Sequence, residues 1–224
     1  MESRDSGGQN EPFGQPSVSS AYVAFIDVLG FSHRIENDFA GALDAYRQLL
    51  HNVDILNPPS TVSLRIYSDA LLVSSSELLP LVKAIHTLNF LTLVGDCLVR
   101  GGIGYGLHAE QESGTNTFVV SQALSRAVET EKQIRRPCVA LHDSVSIPEF
   151  FWLNDADTFL RPLLFFDGIA LVNPFSIMWG VSAGHRVEMM REQYPEHREK
   201  YDWFLRLYEA VRNREALVPP RYAT

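Results

Sequence analysis

The order in which two hydrophobic periods alternate along the chain narrows the fold most. Tyr22 to Asp27 is a β-prone run with apolar residues on both faces. Ala40 to Val53 puts Leu43, Tyr46, Leu49 and Leu50 on one helical side. Val62 to Tyr67 and Leu71 to Ser75 are strand-like, and Ser68-Asp69 forms the tight turn between them, so the pair predicts a β-hairpin. Glu77 to Val94 carries Leu78, Leu81, Val82, Ile85, Leu88 and Leu91 at helical spacing. Val99 to Leu107 reads as a glycine-rich strand, Glu110 to Asn116 as polar turn, and Thr117 to Val120 as a returning strand. Ser121 is placed to cap a helix running to about Ile134, and Pro137 to Leu141 is a further strand. The order β-α-β-β-α-β predicts an α+β, ferredoxin-like fold: an antiparallel sheet with helices on one face.

The chain has 224 residues, of which 46% are apolar, enough for one domain with a full-sized core. Residues 1–20 are rich in Gly, Ser, Gln and Pro and are expected to form a disordered tail. The expected domain covers 21–224, with a core at about 21–142 and an extension at about 150–224. In the extension, Phe159 to Val172 suggests added strand, and Gly184 to Arg214 is a charged helical segment broken near Pro195. The balance of 19 basic to 27 acidic residues gives a net charge of -8, which argues against general nucleic-acid binding and leaves room for a single nucleotide. Leu163 to Trp179 is apolar but holds Asp167, Asn173 and Pro174, so no membrane span is expected there. With no signal-peptide pattern at the start, a cytoplasmic protein is expected. Cys97 and Cys138 lack metal-ligand spacing and read as reduced thiols.

Two aspartates carry the chemistry. Asp27 ends a hydrophobic strand just before a glycine-containing turn into a helix. Its carboxylate can hold a divalent cation, and the backbone N–H groups of Leu29, Gly30, Phe31 and Ser32 can face an anion. Taken alone, Asp27 could equally cap the helix. Asp69 sits at the hairpin tip, and in a ferredoxin-like sheet the first strand lies beside that hairpin, so the carboxylates can converge. Converging carboxylates are what two-metal phosphoryl transfer requires. Gly102-x-Gly104-x-Gly106 is no dinucleotide fingerprint, because no helix begins there. Lys132, Arg135 and Arg136 end a helix, where they either complement its C-terminus or reach a triphosphate.

Phe25-Ile26-Asp27-Val28-Leu29-Gly30-Phe31-Ser32 resembles the first metal motif of the class III nucleotide cyclases. Arg65-Ile66-Tyr67-Ser68-Asp69 resembles the second, with Ser68 in place of glycine, and Val99 to Gly104 resembles a later Arg-x-Gly-Ile strand. The resemblance spans about residues 20 to 135. It implies the class III cyclase fold and two Mg²⁺ or Mn²⁺ ions per active site, held by Asp27, Asp69 and the Val28 carbonyl. It also implies a homodimer whose subunits share their sites. The purine enzymes' Asn-x-x-x-Arg pair is missing from the helix at 121–134; Arg126 stands in the Ser121 to Glu129 stretch as the candidate transition-state residue. A stand-alone chain of this kind resembles the bacterial Pycsar pyrimidine cyclases. That likeness implies cyclic UMP production from UTP during phage infection and a separate effector protein that the cyclic nucleotide activates. Arg65 lies four residues before Asp69, hence on the same sheet face. Its guanidinium offers only donors, which suits the O2 and O4 acceptors of uracil; the alternative is that it binds phosphate or a partner carboxylate. The rival readings are a cytidylate or purine cyclase, and a catalytically inactive module of the same fold that binds a nucleotide.

Overall fold

The computed structural model describes residues 17–56, 58–67, 70–113, 116–152, 158–176, 182–215 and 217–222. Strand β1 (Val18–Val28) leads through a turn into the short helix α1 (Phe31–Asn37) and the longer α2 (Phe39–Leu56). The hairpin β2 (Val62–Tyr67) and β3 (Ala70–Ser75) follows, then α3 (Leu78–Val94). Next come the long β4 (Val99–Ser113), β5 (Asn116–Ser121), α4 (Gln122–Ile134) and β6 (Val139–Leu141). The last part carries β7 (Leu163–Phe166), β8 (Ile169–Val172), α5 (Ser182–Gln193) and α6 (Arg198–Arg212). The expected tail at 1–20 overlaps the described residues only at its end, where β1 begins at Val18, earlier than the expected Tyr22.

One sheet runs β2-β3-β1-β4-β6-β8-β7, and β5 pairs with the outer half of β4. Neighbours are antiparallel except β4 and β6, which run parallel with Gly101 opposite Val139. The expected antiparallel sheet therefore contains one parallel pair, because α4 crosses over between β5 and β6. The stretch expected as polar turn, Glu110 to Asn116, is instead mostly strand. β4 continues to Ser113 and pairs with β5 from His108↔Ser121 to Ser113↔Asn116. Its polarity belongs to a hairpin arm and does not mark a break in the ladder. Phe159 to Val172 supplies β7 and β8, and β8 joins the same sheet through Ala140↔Leu171.

Period-two alternation divides β1 between two cores. Ala24, Ile26 and Val28 join Leu71, Val73 and Ile103 beneath Leu81, Val82, Ile85 and Leu88 of α3 and Leu49 of α2. Ala21 and Val23 point the other way and pack with Leu72 and Ala123 of α4. The helices are thus not all on one face: α4 lies opposite α2 and α3. The glycines of β4 explain why. A Cβ on Gly102 would stand 2.1 Å from the Ala127 carbonyl oxygen, and one on Gly104 would stand 2.3 Å from that of Ala123. With hydrogens there instead, the backbone of α4 rests directly on the strand. Ser121 caps α4 as expected, its Oγ accepting from Leu124 N at 3.0 Å.

A further core joins the last helices to the sheet. Tyr201, Trp203, Phe204, Leu207 and Val211 of α6 pack with Val187 and Met190 of α5 against Leu29, Ala140, Leu164 and Leu171. The expected charged helical segment breaks at Pro195, which opens a short 3-10 turn (Pro195–His197) before α6. No helix among the described residues is long and apolar enough to cross a membrane.

The glycine contact yields a stability test. Gly102→Ala drives a methyl group into the backbone of α4, which cannot rotate away as a side chain would. We expect a loss of about 3 kcal/mol in urea unfolding. A variant as stable as wild type would show that α4 does not rest on β4 this closely.

Candidate active site

Asp27 is the penultimate residue of β1. Antiparallel register sets it opposite Ala70 of β3 on one side and Arg100 of β4 on the other. Directly opposed residues project from the same face, so the Arg100 guanidinium reaches the carboxylate. Arg100 Nε donates to Asp27 Oδ2 at 2.9 Å, and Arg100 Nη2 lies 2.8 Å from the same oxygen. Arg100 Nε also lies 3.0 Å from Oε1 of Glu131, in the last turns of α4. The Glu131 side chain is only 9% exposed, against 19% for Asp27 and 32% for Arg100. One guanidinium therefore bridges a nearly buried carboxylate and a more accessible one. The accessible one is Asp27, the expected metal ligand.

Ser68 and Asp69 lie outside the described residues. The residues flanking them, Tyr67 and Ala70, pair with each other, and Ala70 is opposite Asp27. Among the described residues no three His, Cys, Asp or Glu side chains gather as a metal-binding group. The donor set nonetheless suits Mg²⁺ or Mn²⁺: such ions take all-oxygen ligands and commonly use one or two carboxylates, completing their shell with substrate phosphates and water. A cation, Arg100, already sits on the Asp27 oxygen.

The turn after β1 departs in part from expectation. The Leu29 backbone N–H donates to the Leu98 carbonyl at 2.8 Å, so it does not face an anion, and the Leu29 side chain is buried beside α6. Gly30 adopts φ +76°, the left-handed conformation that favours glycine, and its carbonyl accepts from Arg34 N at 3.1 Å. Phe31 is buried, with its ring 6.3 Å from that of Tyr46. The helix opened by Phe31 and Ser32 has seven residues.

Arg65 and Arg126 do not converge on Asp27 within one chain. Arg65 lies two strands away, in line with Leu72 and Phe25. Strand spacing and rise separate it from Asp27 by about 12 Å. Its Nη1 donates to Thr117 Oγ1 at 2.7 Å and its Nη2 to Glu110 Oε2 at 2.6 Å. Glu110 Oε1 is 3.0 Å from His108 Nε2. The β4–β5 arm thus holds the guanidinium in place. Arg126 donates to the Tyr105 carbonyl and lies over Gly104 and Gly106, which pair with Val23 and Ala21 far up β1 from Asp27. Of the three basic residues that end α4, Arg135 adopts the left-handed cap and donates to Lys132 O at 3.1 Å, and Arg136 pairs with Glu199 at 3.2 Å.

Sequence reasoning missed Arg100 with its partner Glu131, and missed Glu110 as the partner of Arg65. Glu131 carried no local signal, because its contact depends on how α4 settles across the sheet. Glu110 was hidden by reading its segment as turn.

No family model matches the chain, and no curated protein matches it. Solved structures do. A bacterial light-regulated adenylyl cyclase superposes with TM-score 0.51 at 14% identity, covering 78% of this chain and 100% of that one. The adenylyl cyclase CyaB from P. aeruginosa gives TM-score 0.45 at 16% identity, covering 57% of this chain and 78% of that one. The guanylyl cyclase domain of the RhoGC fusion protein from the aquatic fungus Blastocladiella emersonii gives 0.46 at 13% identity, covering 58% of this chain and 85% of that one. The chain is a mixed α+β protein with the fold of class III cyclase domains.

Proposed function

We propose that the chain is a nucleotide cyclase that converts UTP to 3′,5′-cyclic UMP and pyrophosphate. The observation that carries this reading is Asp27, at the end of β1 beside the hairpin of Asp69, with its carboxylate gripped by a displaceable arginine. In the reaction the 3′-oxygen bonds to the α-phosphorus, the bond from that phosphorus to the bridging oxygen breaks, and the hydroxyl proton is lost. Asp27, Asp69 and the Val28 carbonyl would hold two Mg²⁺ or Mn²⁺ ions, which when bound acidify the 3′-hydroxyl and neutralise the leaving pyrophosphate. Arg100 has two anchors, so it can release Asp27 while remaining on Glu131 and turn its free donors toward the triphosphate.

Arg65 and Arg126 stand away from Asp27 in their own subunit, so their proposed work is on the site of a homodimer partner. There Arg65 donates to the base and Arg126 to the reacting phosphate. Cyclic UMP would serve as an antiphage signal read by a separate effector protein in the cytoplasm. Glu110 favours a second reading. It is an acceptor 2.6 Å from Arg65, and if it faces the base it would receive the cytosine amino group and favour CTP.

Asp27→Ala or Asp69→Ala is expected to lower turnover at least about a hundredfold. The fold should survive, since Asp27 lies at the end of β1 outside the apolar cores and Asp69 falls between β2 and β3 in the sequence. Turnover with Mn²⁺ near wild type in either variant would defeat the proposed site. Mixing inactive Asp27→Ala chains with impaired Arg65→Ala chains should raise activity above that of either variant alone as subunits exchange, because one mixed site keeps both groups; exchange without that gain argues against shared sites. Base choice is read from turnover of UTP, CTP, GTP and ATP. UTP should lead in wild type, and Arg65→Ala should lose about tenfold of that preference, as one mispaired buried group costs about 1–3 kcal/mol. An unchanged ranking removes Arg65 from base selection, a CTP preference abolished by Glu110→Gln supports the second reading, and no turnover with any triphosphate supports an inactive nucleotide-binding module.

A further inference from the structure

The start of α6 lies against the turn that follows Asp27. Its cap residue His197 lies against the β1–α1 turn: a Cβ on Gly30 would stand 3.2 Å from His197 Nε2. Just upstream, the Arg34 guanidinium of α1 sits 4.9 Å from the centre of the Tyr194 ring. On the other side, Glu199 pairs with Arg136 just past α4. Three contacts therefore pin this end of α6 to the turn after Asp27, to α1 and to the end of the helix that carries Glu131.

Lys200 follows His197 by three residues, on the same side of the helix. It is half-buried, and it makes no hydrogen bond or ion pair with the described residues. The charges around it are those of Arg100, Asp27, Glu131 and Glu199. Each of these acids already has a cation: Arg100 bridges Asp27 and Glu131, and Arg136 takes Glu199. Lys200 thus presents an ammonium group on a flexible stem near Asp27 and Arg100, with its three donors uncommitted among the described residues.

We propose that Lys200 binds the β- and γ-phosphate end of the nucleotide, so that the C-terminal extension completes the triphosphate site of the subunit that carries Asp27. The inference rests on the nucleotide reading of that site. Burial and the neighbouring Arg100 both push the Lys200 ammonium below its ordinary range, and the three carboxylates oppose them. A bound polyphosphate adds negative charge where the ammonium now has only a shared and distant supply. An ammonium acts on phosphate as a point charge and needs no planar partner, so the flexible stem is suited to following the leaving pyrophosphate.

The test uses the full chain with inorganic tripolyphosphate and Mn²⁺, followed by titration calorimetry, alongside cyclisation kinetics. Lys200→Ala should weaken tripolyphosphate binding about tenfold and raise KM for the preferred triphosphate similarly, with a smaller fall in kcat. Lys200→Arg should recover most of both. Lys200→Gln, which keeps the stem and loses the charge, replaces the alanine variant if that one melts early. Binding by the neutral variants within about twofold of wild type overturns the proposal, as does a wild-type chain that does not bind tripolyphosphate. A wild-type chain that binds tripolyphosphate through Lys200 but cyclises nothing supports the phosphate role and defeats the cyclase reading.

Discussion

The close seating of α4 on β4 sets the geometry of everything around the site. Gly102 and Gly104 present no side chain, so the carbonyls of Ala127 and Ala123 come within the volume a methyl group would fill. That contact fixes the height and direction of the helix. One turn beyond Ala127, it brings Glu131 to Arg100, and Arg100 to the strand partner Asp27. The same placement carries Arg126 to the opposite end of β1. A bulkier residue on the glycine stripe would lift α4, and the carboxylate–guanidinium–carboxylate bridge would lose its buried end first.

The bridge has a physical consequence for the site's chemistry. Removing Glu131 from water is costly, and its ion pair offsets that cost only while the partner stays in place. Arg100 is therefore anchored on the Glu131 side and more exposed on the Asp27 side. An arginine so divided can give up the accessible carboxylate to a metal ion without leaving a buried charge alone. The Arg65–Glu110–His108 chain is the counterpart toward the far end of β4, where the β4–β5 arm orients a guanidinium of β2. Planar guanidinium forks held this way lose little further freedom on meeting a ligand.

The extension from β7 to α6 is part of this economy of position. Its aromatic side chains bury against Leu29 and Leu171, so the helix start at His197 and Lys200 is held next to the turn that follows Asp27. The turn gains a wall there, and the site gains a cation from more than 160 residues downstream of Asp27.

Local pattern alone settled the strand that carries Asp27, though not its start at Val18, the β2–β3 runs that flank Asp69, the capped helix after Ser121 and the break at Pro195. Each of these depends on side-chain period, turn chemistry or a cap, which act within a few residues. Pattern failed at Glu110 to Asn116, where polar composition imitated a turn although the ladder continued, because strand pairing there rests on backbone hydrogen bonds that polar side chains do not prevent. It also could not put α4 on the face opposite α3, since the glycine stripe that allows this reads equally well as a weak strand. The pairings of Glu131 and Glu110, and the approach of Lys200 to Asp27, belong to the tertiary structure alone. Ion pairs between residues far apart in the chain leave no periodic trace, and they exist only after helix and sheet packing has brought their backbones within reach.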